Sequence, residues 1–299
     1  MNGIIVVNFE LGNVSFEIFN KINRLKEEFE LLNVETEVVY NNGTLAVIEN
    51  GEIKTSIKKC DFVIYLDKDE YLAKLLTKVG YRLFPRADFI EICDDKMLTH
   101  LALSNNNIPM PKTYAGPLIY YSDKMKDFSF IDELEKKIGY PLVIKPVHGS
   151  LGKDIKFVNN RETFIEKFKE IAHLPLIFQE YVGAQYGRSV RVIIIDRQIL
   201  GAYSRVNKMD FRSNFGPTAS SEPFVLDDAF RALSLKIANL LDIEYAGIDF
   251  LFGESGEPIL CEINSNAFFG EFEKITKINV AGAFAAMIVN KVKKENKKE

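Results

Sequence analysis

The sequence has little cysteine. Its 299 residues contain three, Cys60, Cys93 and Cys261, and no C-x-x-C pair occurs. An odd number of cysteines at uneven spacing argues against a disulfide framework and against a thiolate zinc site. We therefore expect a protein of a reducing compartment, the cytoplasm.

Long hydrophobic runs and blocks of one charge are also absent. No apolar stretch approaches the roughly 20 residues that cross a bilayer, and the start MNGIIVVNFE, without a basic leader or cleavage site, indicates a first buried strand. The 38 basic and 42 acidic residues are mixed, and the net charge is -4. Neither a membrane nor nucleic acid is an expected partner. The basic tail KVKKENKKE is interpreted as a solvated helix end, with an interaction patch as the alternative.

The sequence does contain a regular alternation of apolar strands and amphipathic helices. Over roughly the first 90 residues, strands such as GIIVVNF and DFVIYLD interleave with helices, which predicts a parallel sheet. From about Asp132 the pattern continues through PLVIKPV, LIFQEYV and SVRVIII to a hairpin of YAGIDFLF and PILCEIN. A last helix follows, so the chain is of the α/β class.

The hairpin places polar side chains opposite one another. If Gly253 pairs with Pro258, then Asp249 lies directly across from Glu262, and Asn264 shares the face of Glu262 because alternate residues of a strand point the same way. Facing carboxylates repel unless a cation neutralises them. An oxygen-only set suits a hard ion such as magnesium. The alternative is a solvated hairpin edge with an accidental pair.

A second constellation is PLVIKPVHGSLGKDIKFV. Lys145 lies inside an apolar strand, where an ammonium group needs an anion. The following loop contains Gly149, Ser150 and Gly152 and is flexible enough for its backbone amides to approach phosphate oxygens. The GxxxxGK[ST] pattern of a P-loop is absent. An ordinary turn is the alternative interpretation.

Two further features concern anions and a heterocycle. Arg191, Arg205 and Arg212 fall in one region and indicate an anion pocket, although each could form a structural salt bridge. The strand end IFQEYVGAQ could present backbone groups to a flat heterocycle, or it could be an ordinary strand terminus. Of the three scattered histidines, only His148 beside the glycine loop attracts attention, and no metal-binding or catalytic role is expected for them.

Taken in order, these segments resemble the ATP-grasp superfamily, and within it the RimK-like carboxylate–amine ligases. The resemblance rests on DDKMLTHLAL, PLVIKPVHGSLGKDI, QEYV, SVRVII, DFRSN, AGIDFLF and CEINSN and covers about residues 94–270. It implies an N-terminal Rossmann-like parallel-sheet domain (1–95), a central ATP-grasp lid domain (96–183) and a C-terminal antiparallel-sheet domain with a metal site (184–299). The first 90 or so residues match only as a generic α/β domain.

The resemblance also implies that ATP lies between the lid and the C-terminal domain, with two Mg²⁺ or Mn²⁺ ions at its phosphates. The residues that would contact ATP are Lys96, Lys145, Gly149, Ser150, Gly152, Gln179, Glu180, Tyr181, Val182, Arg212, Ser213 and Asn214. The residues that would bind the metal ions are Asp249, Glu262 and Asn264. The residues that would be catalytic, by stabilising the transferred phosphoryl group, the substrate carboxylate or the oxyanion, are Arg191, Arg205 and Arg212.

The sequence departs from the family at three places. Ser189 replaces an aspartate that the relatives tend to carry near the ribose. After the metal-binding asparagine the chain continues as SNAFFGEFEK, and after DFRSN it continues as GPTASSEP, in place of glycine-containing turns of the family. The last two changes fall where the acceptor substrate would bind, so the resemblance does not identify that substrate.

The implied activity is an ADP-forming ligation. ATP would phosphorylate a carboxylate, and an amine would attack the acyl phosphate, which joins an amino acid, most readily glutamate, to a small molecule or a peptide end. The alternatives are an ATP-grasp kinase of small molecules and a nucleotide-binding protein without turnover. Dimers or tetramers are common among such relatives, so a homo-oligomer is one expectation.

Overall fold

The structure, a computed structural model, describes residues 1–10, 15–121, 125–150, 152–214 and 216–297. Its strands are β1 (Asn2–Asn8), β2 (Glu35–Asn41), β3 (Ala46–Glu49), β4 (Glu52–Thr55), β5 (Phe62–Tyr65), β6 (Leu83–Phe84), β7 (Thr113–Ala115), β8 (Leu142–Pro146), β9 (Lys156–Val158), β10 (Leu176–Glu180), β11 (Arg188–Ile195), β12 (Gln198–Asn207), β13 (Ala219–Pro223), β14 (Tyr245–Phe252) and β15 (Pro258–Asn264). Its helices are α1 (Phe16–Leu31), α2 (Glu70–Lys78), α3 (Ala87–Asp94), α4 (Lys96–Leu103), α5 (Phe130–Lys137), α6 (Arg161–Ile171), α7 (Asp228–Leu240), α8 (Gly270–Thr276) and α9 (Val280–Glu295).

The start of the chain forms the predicted parallel sheet, in the order β2-β1-β5-β6. Helix α1 begins after Ser15, whose hydroxyl accepts a hydrogen bond from the Ile18 amide. Buried apolar residues then recur every three or four positions, at Ile18, Ile22, Leu25 and Phe29, which turns one face of the helix towards the sheet. The N-terminal sheet follows from local patterning alone.

Two antiparallel sheets follow. The first, which we call the lid sheet, has the order β7-β10-β8-β9. It shares a separate core with α5 and α6, which includes Phe164, Phe168 and Phe178. The second, the C-terminal sheet, has the order β13-β12-β11-β14-β15.

The hairpin of β14 and β15 confirms one prediction of register and corrects another. Asp249 pairs with Glu262, as predicted, but Pro258 pairs with Phe252 and not with Gly253. The register shifts by one residue just beyond Asp249, where an irregularity of the β-bulge kind interrupts the ladder. The turn is one residue longer than predicted, and an extra residue in β15 restores the carboxylate pair that this longer turn would otherwise have displaced.

The first and last parts of the chain share one hydrophobic core. Residues of α1 and of the N-terminal sheet pack with α8, α9 and the C-terminal sheet, and Phe284 and Ile288 of α9 are fully buried there. The predicted division at residues 95 and 183 stays a prediction. Within the described ranges, no single helix is long and apolar enough to cross a membrane. Helices α8 and α9 reach that length and apolar content only when they are counted together, and their axes meet at 114°.

Candidate functional site

A cavity opens between the lid sheet and the C-terminal sheet, and it gathers most of the residues predicted to bind ATP or metal. Those that line it are Lys96, Lys145, Gly152, Gln179, Glu180, Tyr181, Val182, Arg205, Arg212, Ser213, Asn214, Asp249 and Glu262. We call it the main cavity. A smaller cavity adjoins it, sharing Lys96, Cys261 and Glu262, and there Gly149 and Asn264 lie in the wall. Ser150 is exposed and lines neither cavity.

Lys145 projects from β8 into the main cavity with a neutral partner. Its ammonium donates to Gln179 Oε1 at 2.6 Å. The Gln179 amide nitrogen donates to Thr113 Oγ1 at 2.9 Å and lies 3.1 Å from His100 Nε2. Within the described chain Lys145 has no ion-pair partner, so its charge is available to an anionic ligand. Gln179, predicted along an adenine edge, also orients this lysine.

His100 is a residue of the site to which the sequence analysis assigned no role. Because Lys145 fixes the Gln179 carbonyl oxygen, the Gln179 amide group must donate to His100 Nε2, so the ring carries its proton on Nδ1. Burial, and next the charge of Lys145, lower the pKa of His100 to about 4. A signal was present in the sequence: Lys96 and His100 are four residues apart on one helix and share a face.

Lys96 begins α4, which Asp95 caps by accepting hydrogen bonds from the amides of Met97 and Leu98 at 2.7 and 3.0 Å. The Lys96 ammonium donates to the carbonyl oxygens of Val147 and Gly149 at 3.3 and 3.2 Å. Burial is the main cause of its lowered pKa, opposed by Glu262. Like Lys145, it contacts no carboxylate within 4 Å among the described residues, and the two lysines make this end of the cavity cationic.

Arg212 joins the C-terminal part of the site to the glycine loop of the lid. Its Nε and Nη2 donate to Asp210 at 3.0 and 2.7 Å, and its Nη1 donates to the Gly152 carbonyl at 2.8 Å. Gly149 and Gly152 have φ values of +130° and +68°, which side chains disfavour. Leu151, inside the predicted phosphate loop, lies outside the described residues.

Asp249 is 1% exposed and is held by two arginines. Arg191 Nε and Nη2 donate to its two oxygens at 2.6 and 2.7 Å, and Arg205 Nη2 lies 2.9 Å from Oδ2. Burial would raise the pKa of this carboxyl group, but the two guanidinium groups hold it well below its usual range. Arg191 does not line the main cavity, and its predicted catalytic role stays a prediction.

The three predicted metal ligands converge. Asn264 Nδ2 lies 3.4 Å from Asp249 Oδ2 and 3.3 Å from Glu262 Oε1. Each carboxylate oxygen has two lone pairs, so the contacts from Arg191 and Arg205 leave Asp249 Oδ1 able to accept a further partner. Within the described chain no cation pairs with Glu262. Hard oxygen donors with one uncompensated carboxylate fit Mg²⁺ or Mn²⁺.

Ser189, which replaces the aspartate expected near the ribose, anchors an arginine. Its hydroxyl accepts from Arg205 Nε and Nη2 at 3.1 and 3.0 Å and lies 2.6 Å from the Ser213 hydroxyl. Arg205 therefore shares the carboxylate of Asp249 with Arg191 and donates two further hydrogen bonds to the Ser189 hydroxyl. Ser189 therefore orients the Arg205 guanidinium group in the wall of the main cavity.

The opposite end of the main cavity is apolar. Val143, Ile155 and Leu251 line it together with Phe211 and Tyr181. The rings of Tyr181 and Phe211 lie 6.1 Å apart and both contact Phe157 of the lid, at 5.0 and 5.4 Å. A flat apolar slot beside the end of β10 suits a heterocycle. The cavity thus has an apolar end and a cationic end, and the cationic end also carries the predicted metal ligands Asp249 and Glu262.

His148 precedes the glycine loop and faces acidic residues. Its Nδ1 lies 3.3 Å from Asp94 Oδ2, and its Nε2 lies 4.0 Å from Asp95 Oδ2. Asp94 also pairs with Lys68. The His148 ring is more than half exposed, so its contacts with Asp94 and Asp95 are solvent-exposed and weak.

Comparisons with known proteins agree with this geometry. The family model of the RimK-like ATP-grasp domain matches residues 93–288. An uncharacterized MG012 homolog of Mycoplasma pneumoniae is 28% identical over 289 residues, which cover 95% of this chain and 98% of that protein. Human N-acetylaspartylglutamate synthase A is 30% identical over 224 residues, which cover 73% of this chain and 55% of the synthase. Alpha-aminoadipate–LysW ligase LysX of Saccharolobus solfataricus is 28% identical over 244 residues, covering 74% of this chain and 83% of the ligase.

Solved structures show the same fold. A RimK-domain ATP-grasp protein from Sphaerobacter thermophilus superposes with a TM-score of 0.73 at 18% identity, covering 96% of this chain and 99% of that one. D-alanine–D-alanine ligase from Bacillus anthracis superposes with a TM-score of 0.74 at 20% identity, covering 100% of this chain and 99% of that one. These likenesses confirm the predicted ATP-grasp architecture.

Proposed function

The chain belongs to the RimK-like ATP-grasp family of ligases, and on that premise we propose that it joins a carboxylic acid to an amine with conversion of ATP to ADP and phosphate. In the proposed reaction the γ-phosphoryl group moves to a carboxylate oxygen of the acid and ADP leaves. The amine then attacks the carbonyl carbon, phosphate departs, and the amine loses a proton.

One observation supports this proposal most directly. Lys96 and Lys145 face the main cavity without a carboxylate partner among the described residues. Asp249 and Glu262 line the same cavity, and Asn264 lies beside both carboxylates in the wall of the smaller cavity. A partly buried ammonium group without a carboxylate partner requires an anion, and a carboxylate that no cation compensates requires a cation. A nucleotide polyphosphate with divalent metal ions satisfies both requirements together.

The residues of the chain then have separate tasks. Lys96 and Lys145 would bind phosphate oxygens, and Arg205 and Arg212, held by their own partners, would stabilise charge that develops on the transferred group. Bound Mg²⁺ or Mn²⁺, held by Asp249, Glu262 and Asn264, would neutralise phosphate charge. The apolar slot at Val143 and Leu251 would receive the adenine.

The glycine loop would exclude water. An acyl phosphate hydrolyses when water reaches it, so a ligase of this kind needs a closed site. Arg212 already contacts the Gly152 carbonyl from the C-terminal side, and Lys96 contacts the Gly149 carbonyl. Both cations therefore contact the loop that would cover the phosphates.

Glutamate is the amine substrate that we propose first. Human N-acetylaspartylglutamate synthase A and beta-citrylglutamate synthase B, 30% and 28% identical to this chain, carry glutamate in the names of their products. The acid partner is a small molecule or a peptide terminus. The two departures from the family pattern follow Asn214, which lines the main cavity, and Asn264, which lines the smaller one.

The test is a screen of acid and amine pairs. Full-length protein with Mg-ATP is mixed with carboxylic acids and amino acids singly and in pairs, and ADP release and product mass are measured. We expect ADP only when an acid and an amine are both present, together with a product of amide mass. A phosphorylated alcohol without any amide, or tight ATP binding without ADP from any pair, would contradict the proposal.

A further inference from the structure

Lys21 is a buried ammonium group to which the proposed function assigns no task. It lies on α1, its side chain is 2% exposed, and burial followed by the charge of Arg191 lowers its pKa to about 7. Among the described residues no carboxylate lies within 4 Å of its nitrogen. Lysine is rarely fully buried without such a partner.

The Lys21 ammonium is directed at one short segment. It donates to Asn266 Oδ1 at 2.6 Å and to the Ala267 carbonyl at 2.9 Å. It also lies 4.9 Å from the ring centre of Tyr245 and 5.4 Å from that of Phe269. Three of these four contacts belong to residues 265–269, which directly follow the predicted metal ligand Asn264.

Stability does not explain a lysine at this position. Burying an ammonium group without a counter-charge is unfavourable, and methionine has nearly the same length and would suit the apolar surroundings. A residue that breaks the rule for the core without a stabilising return indicates a functional constraint. The reason for the lysine therefore lies in the residues to which it donates, Asn266 and Ala267.

Asn266 extends the contact to the N-terminal sheet. Its Nδ2 donates to the Leu66 carbonyl at 2.7 Å, just beyond β5. Leu66 is two residues before Lys68, and Asn266 is two residues after Asn264. Lys68 and Asn264 both line the smaller cavity, which adjoins the main cavity at its cationic end. The contacts of Lys21 thus join the two segments that continue into the wall of the smaller cavity at Lys68 and Asn264.

We propose that Lys21 is a positioning residue for the substrate that meets the nucleotide at the cationic end of the main cavity, which the smaller cavity adjoins. Through Asn266 and Ala267 it fixes the segment after Asn264 against the segment around Leu66. The proposal rests on the proposed function for the identity of the reaction, but the local constraint exists whatever the substrate is. Lys21 itself touches no reactant.

The first test measures local order and needs no substrate. In Lys21→Met, we expect amide hydrogen exchange in residues 265–269 to rise roughly tenfold, the effect of losing a hydrogen bond from a charged group, while the thermal midpoint is unchanged or higher. Lys291→Met, which removes an ion-paired lysine of α9, is the matched control and should leave exchange in that segment unchanged. Unchanged exchange in Lys21→Met would overturn the proposal.

The second test uses the acid and amine pair found in the screen. Lys21→Met should raise the KM of the acid or the amine roughly tenfold and leave the KM of ATP within about twofold, again the scale of one charge-assisted hydrogen bond. Asn266→Ala should give the same shift, and the double variant should be no worse than either alone. Equal losses for ATP and for the other substrates would indicate a purely structural role. If no pair releases ADP, the proposed function fails while the exchange experiment still decides the role of Lys21.

Discussion

At the scale of single residues, the cations of the site fall into two groups. Arg191 and Arg212 are paired with Asp249 and Asp210 inside the protein. Lys96 and Lys145 contact only neutral oxygens among the described residues. The paired arginines are fixed in orientation before a ligand binds. The lysines have no carboxylate partner, so an anionic ligand adds more interaction energy to them than to the arginines.

Glu262 is the carboxylate whose loss should matter most. Glu262→Gln keeps the shape but removes the one charge of the ligand set that no described cation compensates, so metal-dependent turnover should fall by about 100-fold or more, which corresponds to several kcal/mol of transition-state stabilisation. ADP release under saturating Mg-ATP measures it. Glu257→Gln, in the exposed turn of the same hairpin, makes the same change and should be neutral. Near-normal turnover in Glu262→Gln would rule out the metal assignment.

His100 predicts a specific pH dependence of stability. Its pKa is lowered from 6.5 to about 4 in the folded protein, so the unfolded chain takes up the proton first as the pH falls. Stability should therefore decrease between about pH 6.5 and pH 4 by about 3 kcal/mol from this residue.

Urea unfolding at several pH values measures this effect as a difference between variants. His100→Gln should lose that part of the pH dependence, whereas His173→Gln, at an exposed position, should keep it. A pH dependence equal in all three proteins would show that His100 does not titrate as inferred.

Residue type could be predicted at the site, but partners could not. An ammonium or guanidinium group in an apolar strand signals a required anion, which identified Lys145 and Arg191 from sequence. Whether that anion comes from the protein or from a ligand depends on which strands become neighbours. Arg191 pairs with Asp249 of the adjacent strand, whereas Lys145 donates to the neutral side-chain amide of Gln179.

At the scale of elements, the hairpin of β14 and β15 shows how register and turn are set separately. The facing pair Asp249 and Glu262 was predicted from a register that opposes Gly253 to Pro258, and the structure keeps the pair although that register does not hold near the turn. The irregularity in the ladder was not predictable, because the pattern of side chains around Cys261 does not specify where an extra residue enters.

The hairpin of β3 and β4 was missed although its signal was present. Asn50 and Gly51 form its turn with φ values of +54° and +81°, and an Asn-Gly pair between short strands is a strong hairpin signal. The flanking strands are four residues each and mostly exposed. Without a buried face they have little periodicity, so the sequence analysis placed no strands there.

The glycine loop of the lid predicts a selective effect of strain. At Gly149, φ is +130°, and a Cβ atom added there would have no other atom within 4 Å. Alanine would therefore cause no clash, but it would be forced into a backbone conformation that it disfavours. We expect Gly149→Ala to lower turnover about tenfold or more, because strain of roughly 1–3 kcal/mol disfavours the loop conformation. Gly51→Ala, at φ +81° with equally open space, should lose similar stability and keep turnover. Steady-state ADP release and thermal unfolding separate the two, and equal turnover in both variants would argue against a closing loop.

At the scale of the whole molecule, the first and last parts of the chain share a core while the lid has its own. Tyr245 of the C-terminal sheet stacks on Phe284 of α9 at 4.6 Å, and both belong to the cluster that includes the N-terminal sheet. The lid core contains only residues between 119 and 178 among those described. The lid can therefore lose order without the rest.

Two truncations of buried rings test this arrangement. Phe284→Ala should cost about 3–5 kcal/mol and reduce hydrogen-exchange protection in the N-terminal and C-terminal sheets together. Phe168→Ala, an equally buried ring in the lid, should reduce protection in the lid sheet alone. Loss of protection in the C-terminal sheet without the N-terminal sheet after Phe284→Ala would contradict the shared core.

Local chemistry was sufficient to derive the parallel sheet and the need of Lys145 for an anion, because strand and helix periodicity and the cost of burying a charge act over a few residues. Tertiary packing alone decided that Arg191 and Arg205 share Asp249, that Gln179 links Lys145 to His100, and that Lys21 reaches the segment after Asn264. Those contacts join positions up to 246 residues apart. A local sequence pattern cannot predict contacts between residues so far apart in the chain, because these contacts form only when separate sheets pack around common cores.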